Sequence, residues 1–389
     1  MKHIRKFITI AILSLTGICV VLLAASAVGN LSLPDRSASV EVLSTSDKAH
    51  LAETRHLLRE LGDKVWPGWG RTDIPMITYN EEYAFLVDYP NPPDGWIKVP
   101  AGIQRGGSWE PVADDTFMGQ LYYRQRLSGI TPEAFTVIVG ERWVCSLPTF
   151  DLMQISLMQN VRDDLPSFLK PVFPYRLFVR QLVSDDQYIS LNAHECFHAY
   201  QGLLAAGKLA ATEKANTQYE RQYPWAQATL QADWLVELEL LADAMRTTDP
   251  GQSLELARRF LEVRTTRRTS AGLSPELIAY EQKREWLEGL ARYAELEIWR
   301  LASANDYLAI PETGDLPRFS HYHLFERRWR NELAQIPRMA GDDGDGRFYY
   351  SGVAQAYLLD SLSSDWKATA FDENIWLDDL LQTVIQHLK

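Results

Sequence analysis

The sequence has few cysteines, which excludes a fold held together by disulfide bonds. Only three occur in 389 residues: Cys19, Cys145 and Cys196. Disulfide-stapled secreted domains carry more cysteines in a much shorter chain. Cys19 lies in an apolar N-terminal run, so one pair remains for the rest of the protein. A bridge between these two is one alternative, but Cys196 lies inside the helical motif described below, and there a buried free thiol is the prediction.

The chain also lacks any cluster of basic residues after its first few positions. It contains 39 Lys and Arg against 51 Asp and Glu, which gives a net charge of −12. A nucleic-acid-binding protein needs a basic face to neutralise phosphates, so we expect no nucleic-acid partner. With 46% hydrophobic and 23% charged residues, the composition is that of a globular protein with a substantial core.

Long hydrophobic runs are missing everywhere except at the N-terminus. Lys2, Arg5 and Lys6 precede an uncharged, apolar run at residues 7–28. As a helix with ~1.5 Å rise per residue, this run matches the ~30 Å hydrocarbon core of a bilayer. We predict a single transmembrane anchor at residues 1–29, with the basic residues cytoplasmic and the body extracytoplasmic. The alternative is a signal peptide cleaved after Ala25-Ser26-Ala27, which would give a secreted or periplasmic protein.

The amino-acid composition of the chain changes after this run. Residues 30–62 are predicted to form a polar stalk followed by a short helix at 50–61. Residues 63–150 are rich in Pro, Gly and aromatic residues, and short apolar runs alternate there with turn signals. This pattern predicts a small β-rich portion, with strands at residues 75–79, 83–89, 135–139 and 143–147.

Residues 151–389 carry apolar side chains at helical spacings of three and four. The spacing predicts a mainly helical domain with helices at 187–204, 226–247, 253–266, 275–301, 323–336, 350–362 and 376–388. The predicted fold class is therefore α+β, with a small β-rich portion ahead of a helical body and a cleft between them. We also expect the strand at 143–147 to be free to pair with an extended peptide.

The strongest chemical signal is His194-Glu195-Cys196-Phe197-His198, an H-E-x-x-H motif. Residues four apart share one helix face, so both imidazoles can bind one metal ion while Glu195 reaches the water on that metal. Zinc lowers the pKa of its water to about 7, and a neighbouring carboxylate can pass the proton on to a leaving amine. Such a pentapeptide also arises by chance, but its uncharged flanks favour a buried helix beneath a cleft.

A third ligand is needed, because catalytic zinc sites have three protein ligands and one open position. No His follows at short spacing, but W-L-E-G-L-A-R-Y-A-E occurs at residues 286–295. Together with H-E-x-x-H, this segment resembles the gluzincin superfamily of zinc metallopeptidases, including its bacterial exported or membrane-anchored members. The resemblance implies a zincin-like helical domain and implies that Glu288, the residue before Gly, is the third zinc ligand.

Two other acidic residues compete for this position. Better-known gluzincins have their third ligand much closer to the H-E-x-x-H motif than Glu288 lies to His198, so a helical insertion must be accommodated. Glu239 begins an E-x-x-x-D sequence that ends at Asp243, and it is the main rival; Glu237 is a weaker one. Each of these carboxylates has a solvated helix face as its ordinary alternative.

A tyrosine segment follows near the C-terminus. The Y-x-x-G sequence starting at Tyr349 is similar to the gluzincin aminopeptidase segment in which a Tyr hydroxyl stabilises the oxyanion. Tyr350 is the alternative to Tyr349, and core packing is the ordinary role of both. Glu295 lies two helical turns after Glu288 and is expected either to orient a ligand histidine or to pair with Arg292.

These observations lead to one main hypothesis and two alternatives. The main one is an extracytoplasmic zinc metallopeptidase acting on a peptide or protein substrate, with ligands His194, His198 and Glu288, base Glu195 and oxyanion donor Tyr349. The first alternative is a membrane-anchored zincin scaffold with a binding or regulatory role and no turnover. The second is a helical domain with a chance motif and no metal.

Overall fold

The computed structural model describes residues 17, 21–100, 102–127, 137–304 and 306–388. Most of the predicted membrane anchor lies outside this part of the chain, and its last residues belong to a helical segment at 21–30. Within the described ranges, no helix is both long enough and apolar enough to cross a membrane.

Helix α1, Thr45–Val65, begins at a capping box. Ser44 accepts a hydrogen bond from the backbone N–H of Asp47, whose carboxylate accepts one from the backbone N–H of Ser44. Residues upstream of α1, which the sequence predicts as a stalk, contact the rest of the body. The backbone N–H and the hydroxyl of Ser37 both donate to the Glu81 carboxylate at 2.7 Å.

In the described residues, eight short strands follow α1 and form one mixed sheet. They are β1 (Met76–Tyr79), β2 (Tyr83–Val87), β3 (Trp96–Lys98), β4 (Gln104–Arg105), β5 (Glu110–Pro111), β6 (Tyr123–Arg126), β7 (Val137–Val139) and β8 (Arg142–Pro148). The order across the sheet is β4-β3-β7-β8-β1-β2-β6-β5. Of the described strand pairs, β1 with β8 is parallel and the others are antiparallel.

Strand β8 lies inside the sheet. Its residues 142–144 pair with β7 and its residues 145–148 pair with β1. The prediction that residues 143–147 form a strand free for a peptide is corrected by this order. Apolar alternation reveals which face of a strand is buried, but it does not reveal which strands become neighbours.

Helices dominate the described chain from Phe150 onwards. They are α2 (Phe150–Asp164), α3 (Tyr175–Leu182), α4 (Asp185–Tyr219), α5 (Ala228–Ala244), α6 (Pro250–Ser270), α7 (Pro275–Arg284), α8 (Leu290–Ala302), α9 (Phe325–Gln335), α10 (Gly346–Leu362) and α11 (Leu377–His387). The predicted α+β class, a small β-rich region followed by helices, is confirmed for the part of the chain that the structure describes.

Helix α4 connects the sheet to the helical body. It begins at a capping box formed by Ser184 and Gln187, and it contacts both β8 and α8. Residue Gly202 has no room for a Cβ, because the Trp143 ring of β8 fills that space. The backbone leaves helical geometry at Ala205, with φ −141° and ψ 52°, and then resumes the helix. The predicted end of this helix, residue 204, therefore falls at a break within a longer helix.

The two cysteines of the body meet where α4 packs on β8. Cys145 and Cys196 are both buried and free, with their Sγ atoms 3.0 Å apart. Burial and the neighbouring Cys196 raise the pKa of Cys145 well above its usual value, so this group is a thiol at neutral pH. The buried free thiol predicted for Cys196 is present.

A π-helical turn, Glu285–Gly289, joins α7 to α8 in one continuous helix. Such a turn bonds residue i to i+5, occurs mostly as a single turn within an α-helix and is frequent at functional sites. Helix α10 crosses at this turn. A methyl group on Gly289 would overlap Gly352 of α10, and a methyl group on Gly352 would overlap the carbonyl of Glu285. Glycine at both positions therefore lets the two backbones touch.

A buried ion network holds the π turn in place. Arg264 of α6 donates to the carboxylates of Glu237 and Glu285, each at 2.8 Å. Arg267 donates to Glu237 and to Glu281, each at 2.7 Å. All five side chains are buried. Because an unpaired buried charge is costly, these contacts fix Glu285, the first residue of the π turn.

Candidate metal centre

His194 and His198 of α4 face Glu288 of the π turn. The ring centroids of the two histidines are 4.8 Å apart. Oε2 of Glu288 lies 3.7 Å from Nε2 of His194 and 3.3 Å from Nε2 of His198. All three side chains are buried, and each offers a ligand atom within 4.8 Å of the others. The structure therefore brings together the three residues that the sequence predicts as ligands.

The spacing of these atoms suits a single divalent ion. Zinc binds imidazole nitrogen and carboxylate oxygen at ~2.0–2.2 Å, so the ligands of a tetrahedral site lie about 3.4 Å from one another. The two Nε2 to Oε2 distances, 3.7 and 3.3 Å, are close to this value. This buried group could therefore hold a metal ion.

The rival acidic residues lie elsewhere. Glu239 and Asp243 are exposed on α5, and Asp243 pairs with Arg246 at 2.8 Å. Glu237 is buried in the ion network with Arg264. Among these acids, the structure places Glu288 alone beside the imidazoles.

Glu295 contacts the far side of the His194 ring. Its Oε2 lies 3.4 Å from Nδ1 of His194 and accepts a hydrogen bond from Arg292 at 2.6 Å. Arg292 also donates to both carboxylate oxygens of Glu332, each at 2.8 Å. Glu295 therefore has both of the roles that the sequence leaves open, contact with a histidine and pairing with Arg292. Glu288 and Glu295, two turns apart, bracket the two nitrogens of one ring.

Gln201 orients the second imidazole. Its Nε2 donates to the backbone carbonyls of Trp286 and Leu287 in the π turn, at 3.0 and 3.2 Å. Because carbonyls only accept, this contact leaves Oε1 of Gln201 facing Nδ1 of His198, at 2.8 Å. Nδ1 then carries a hydrogen directed at Gln201, and Nε2 is the ring nitrogen that faces Glu288. One fully buried amide thus links the second histidine to the turn that carries the carboxylate.

Arg284 holds the second oxygen of Glu288. Its guanidinium donates to Oε1 at 2.8 Å and also contacts Asp345 at 3.0 Å and Glu213 at 3.4 Å. Burial alone would raise the pKa of Glu288, but Arg284 and His198 lower it well below its usual value. Glu288 is therefore an anion, with one oxygen held by Arg284 and the other directed at the imidazoles.

The residues that line a cavity of about 390 Å³ include His194, Glu195, His198, Arg284 and Glu288. Burial raises the pKa of Glu195, which makes this carboxylate a stronger proton acceptor than an exposed one. Burial lowers the pKa of His194, but contacts with Glu288 and Glu295 outweigh it and raise the pKa to about 10. The cavity therefore favours positive charge.

Tyr349 lines this cavity, and Tyr350 is not among the lining residues. The Arg284 guanidinium lies 6.0 Å from the centre of the Tyr349 ring. Burial and the charge of Glu288 raise the pKa of Tyr349 well above its usual value, so the phenol is a protonated donor. Burial and the charge of Glu332 raise the pKa of Tyr350.

Glu213 reaches the cavity from a distant part of α4. In a straight helix it would lie about 28 Å from His194 at ~1.5 Å per residue, but the break at Ala205 lets both line one cavity. Burial raises the pKa of Glu213 to about 7, and the 3.4 Å ion pair with Arg284 offsets this only in part. Sequence reasoning missed this residue, because its approach depends on the break.

A scan against protein-family models and searches of curated proteins and solved structures find no match to this chain. The class of site is defined instead by its own donor atoms. Two imidazoles and a carboxylate that could hold a metal ion share a cavity with three further carboxylates, those of Glu195, Glu213 and Glu295, and with the phenol of Tyr349.

Proposed function

We propose that this chain is a zinc metallopeptidase of the gluzincin kind that hydrolyses peptide bonds on the extracytoplasmic side of a membrane. The observation that carries the proposal is the convergence of His194, His198 and Glu288 in one cavity with Glu195. The resemblance of H-E-x-x-H and W-x-E-G-L-A to gluzincin motifs supports it, because the ligand that the resemblance implies lies beside the two histidines.

Zinc is the ion that the donor set favours. Two imidazole nitrogens and one carboxylate oxygen, with room for a fourth ligand, occur in catalytic zinc sites. Magnesium and calcium prefer sites built from oxygen ligands alone. The contacts of Gln201 with His198 and of Glu295 with His194 are of the kind that orient metal-binding imidazoles.

The side chains divide the steps of hydrolysis among them. His194, His198 and Glu288 hold the ion, which when bound supplies an acidified water and polarises the scissile carbonyl. Glu195 accepts a proton from the attacking water and donates it to the leaving amine, for which the raised pKa of a buried carboxylate is suited. Tyr349 donates a hydrogen bond to the carbonyl oxygen as negative charge develops on it.

The extracytoplasmic location is proposed from the N-terminal sequence. Lys2, Arg5 and Lys6 lie ahead of the apolar run at 7–28 and would stay in the cytoplasm, so the body is delivered to the other side. We propose that the run is retained as an anchor. Cleavage near Ala27 would release the same body into the periplasm or the medium.

Zinc analysis combined with peptide hydrolysis tests the proposal. The full-length protein, purified in detergent without chelators, should contain about one zinc ion per chain and cleave a mixed peptide library. Glu195→Gln should keep the zinc and lose cleavage by about 10²–10⁴-fold. Glu239→Gln, a matched variant on an exposed surface, should keep both.

Two results would overturn the proposal. Purified protein that takes up no zinc, even when zinc is supplied, would refute the metal site. Zinc-loaded protein that cleaves no peptide in the library would refute peptidase activity and favour a binding role for the scaffold.

A further inference from the structure

Exposed apolar side chains gather beside the N-terminal segment. Of the 21 large apolar side chains exposed in the described residues, ten lie within residues 21–31 and 168–182. The second group comprises Phe168, Leu169, Leu177, Phe178 and Leu182, and their exposed fractions range from 36% to 77%. We call this group the α3 patch, since it belongs to helix α3 and the loop before it. Contiguous exposed apolar surface of this kind marks an interaction site.

Direct contacts tie the α3 patch to the end of the apolar run. The side-chain amide of Asn30 donates to the backbone carbonyls of Pro171 and Phe173, each at 2.9 Å. Arg176 of α3 donates to the backbone carbonyl of Ser32. Whatever surrounds residues 30–32 is therefore also close to the α3 patch.

Helix α3 is amphipathic, and its apolar face is only partly covered. Tyr175 and Val179, four residues apart, are buried against α2. Phe178 and Leu182 lie three and seven residues after Tyr175 and share its apolar face, but their side chains are 36% and 44% exposed. The exposed part of this face is therefore open to an apolar environment outside the body.

The surroundings of the α3 patch are basic, although the protein is acidic. Residues 162–182 contain four cations and two carboxylates in a chain of net charge −12: Arg162, Lys170, Arg176 and Arg180 against Asp163 and Asp164. Apolar side chains flanked by Lys and Arg fit a lipid interface, where the rings and methyl groups enter the acyl boundary and the cations reach phosphates. A two-fold contact with a second copy would instead bring identical cations together.

We propose that the α3 patch lies on the bilayer surface, next to the point where the apolar N-terminal run enters the membrane. The run brings the bilayer to residues 30–32, and the contacts of Asn30 and Arg176 hold the α3 patch at the same level. The apolar side chains then insert about 5–10 Å below the headgroups. The inference rests on the membrane location in the proposed function and is independent of catalysis. Its consequence is that the body is held in one orientation on the membrane.

Fluorescent labelling in vesicles tests this placement. In full-length protein carrying Cys19→Ala, Leu182→Cys is labelled with a polarity-sensitive dye, and Leu235→Cys on α5 is the matched control. The two leucines are 44% and 40% exposed, and the remaining cysteines, Cys145 and Cys196, are buried. In vesicles of phosphatidylcholine with a minor share of phosphatidylglycerol, we expect lipid-attached nitroxides to quench the dye at 182 several-fold more than the dye at 235.

Three further results bear on the placement. Equal quenching at the two positions would overturn it. If the dye at 182 becomes more shielded from water as the protein concentration rises, and the lipid nitroxides do not quench it, the placement on the bilayer is overturned. The result would instead show contact between two copies of the chain. Phe178→Asp should reduce the quenching at 182 and leave zinc content and hydrolysis unchanged. Loss of zinc or hydrolysis in every preparation would refute the proposed function and leave the quenching result standing.

Discussion

Gly289 and Gly352 touch backbone to backbone where the helix that carries Glu288 crosses the helix that carries Tyr349. Each glycine belongs to a motif that the sequence singles out for chemistry, E-G-L-A and Y-x-x-G. The crossing explains why both positions are glycine, because a Cβ at either position would overlap the opposite backbone. It also sets the distance between the third metal-ligand candidate and the phenol.

Gly352→Ala should therefore push the two helices apart. We expect a loss of about 1–3 kcal/mol in the free energy of unfolding, as for other overpacked cores, together with weaker zinc binding. Denaturant unfolding and competition with a chelator measure the two effects. Gly314→Ala is the control, because a methyl group there meets nothing within 4 Å. A Gly352→Ala protein as stable as the wild type would contradict the steric role.

Gln201→Leu should lower zinc affinity by about 10–100-fold, the usual effect of removing a partner that orients a ligand histidine. The leucine loses both the acceptor for His198 and the donor to the π turn. Gln201→Glu keeps the acceptor and loses the donor, so its affinity should lie between those of the wild type and the leucine variant. Chelator competition gives the affinities, and equal values in all three proteins would show that Gln201 merely fills space.

Tyr349→Phe should reduce kcat by about 10²–10³-fold, because the phenol donates to the developing oxyanion, with little change in zinc content, because Tyr349 is not one of the three ligand candidates. Tyr350→Phe, the neighbouring substitution, should change kcat little, since Tyr350 is not among the residues that line the cavity. Steady-state hydrolysis of one cleaved peptide separates kcat from KM. A larger effect at 350 than at 349 would reverse the assignment.

Glu213 should make the stability of the zinc-free protein depend on pH. Its folded-state pKa of about 7 lies above the ordinary value of 4.5. The stabilisation of the neutral form is therefore complete below about pH 4.5 and is lost as the pH rises through 7, by an amount on the order of 3 kcal/mol. Unfolding free energies measured from about pH 5 to 7.5 should fall less steeply in Glu213→Gln. Identical slopes would contradict the raised pKa.

Arg264→Met should strongly destabilise the fold. It leaves Glu237 and Glu285 buried with fewer partners, and breaking a buried ion pair from one side costs about 3–5 kcal/mol. Arg246→Met removes an exposed pair with Asp243 and should cost at most ~1 kcal/mol. Denaturant midpoints of the two variants give the comparison. Equal midpoints would mean that the network adds no stability.

The parts of this protein that follow from sequence are those that depend on local spacing. His194 and His198 share a helix face because they are four residues apart, and apolar spacing predicts β1, β2, β8 and the helices from residue 187 onwards. Helices α2 and α3 and strands β3 to β6 were not predicted. The same spacing rule could have identified Gln201, because it lies three residues after His198 on that face. The position of Glu288 came from the resemblance to gluzincins, not from spacing.

The features that escaped prediction depend on contacts between distant segments. The interior position of β8 results from pairing with β1 and β7, which the alternation along β8 does not encode. Glu213 enters the cavity through the break at Ala205. Arg284 acts on Glu288 through a local i to i+4 contact, but only the folded cavity shows that its other partners are Glu213 and Asp345.

The π turn at residues 285–289 also sets the angular phase of the whole α7–α8 rod. A π turn holds one residue more than an α-helical turn, and each residue of an α-helix advances the chain by about 100°. If residues 285–289 took up α-helical geometry instead, the flanking segments would rotate against each other by about that angle. Arg284 precedes the turn and Glu295 follows it, so their side chains would no longer point into the same cavity. The centre therefore depends on a single offset in helical phase as much as on the identity of its donor atoms.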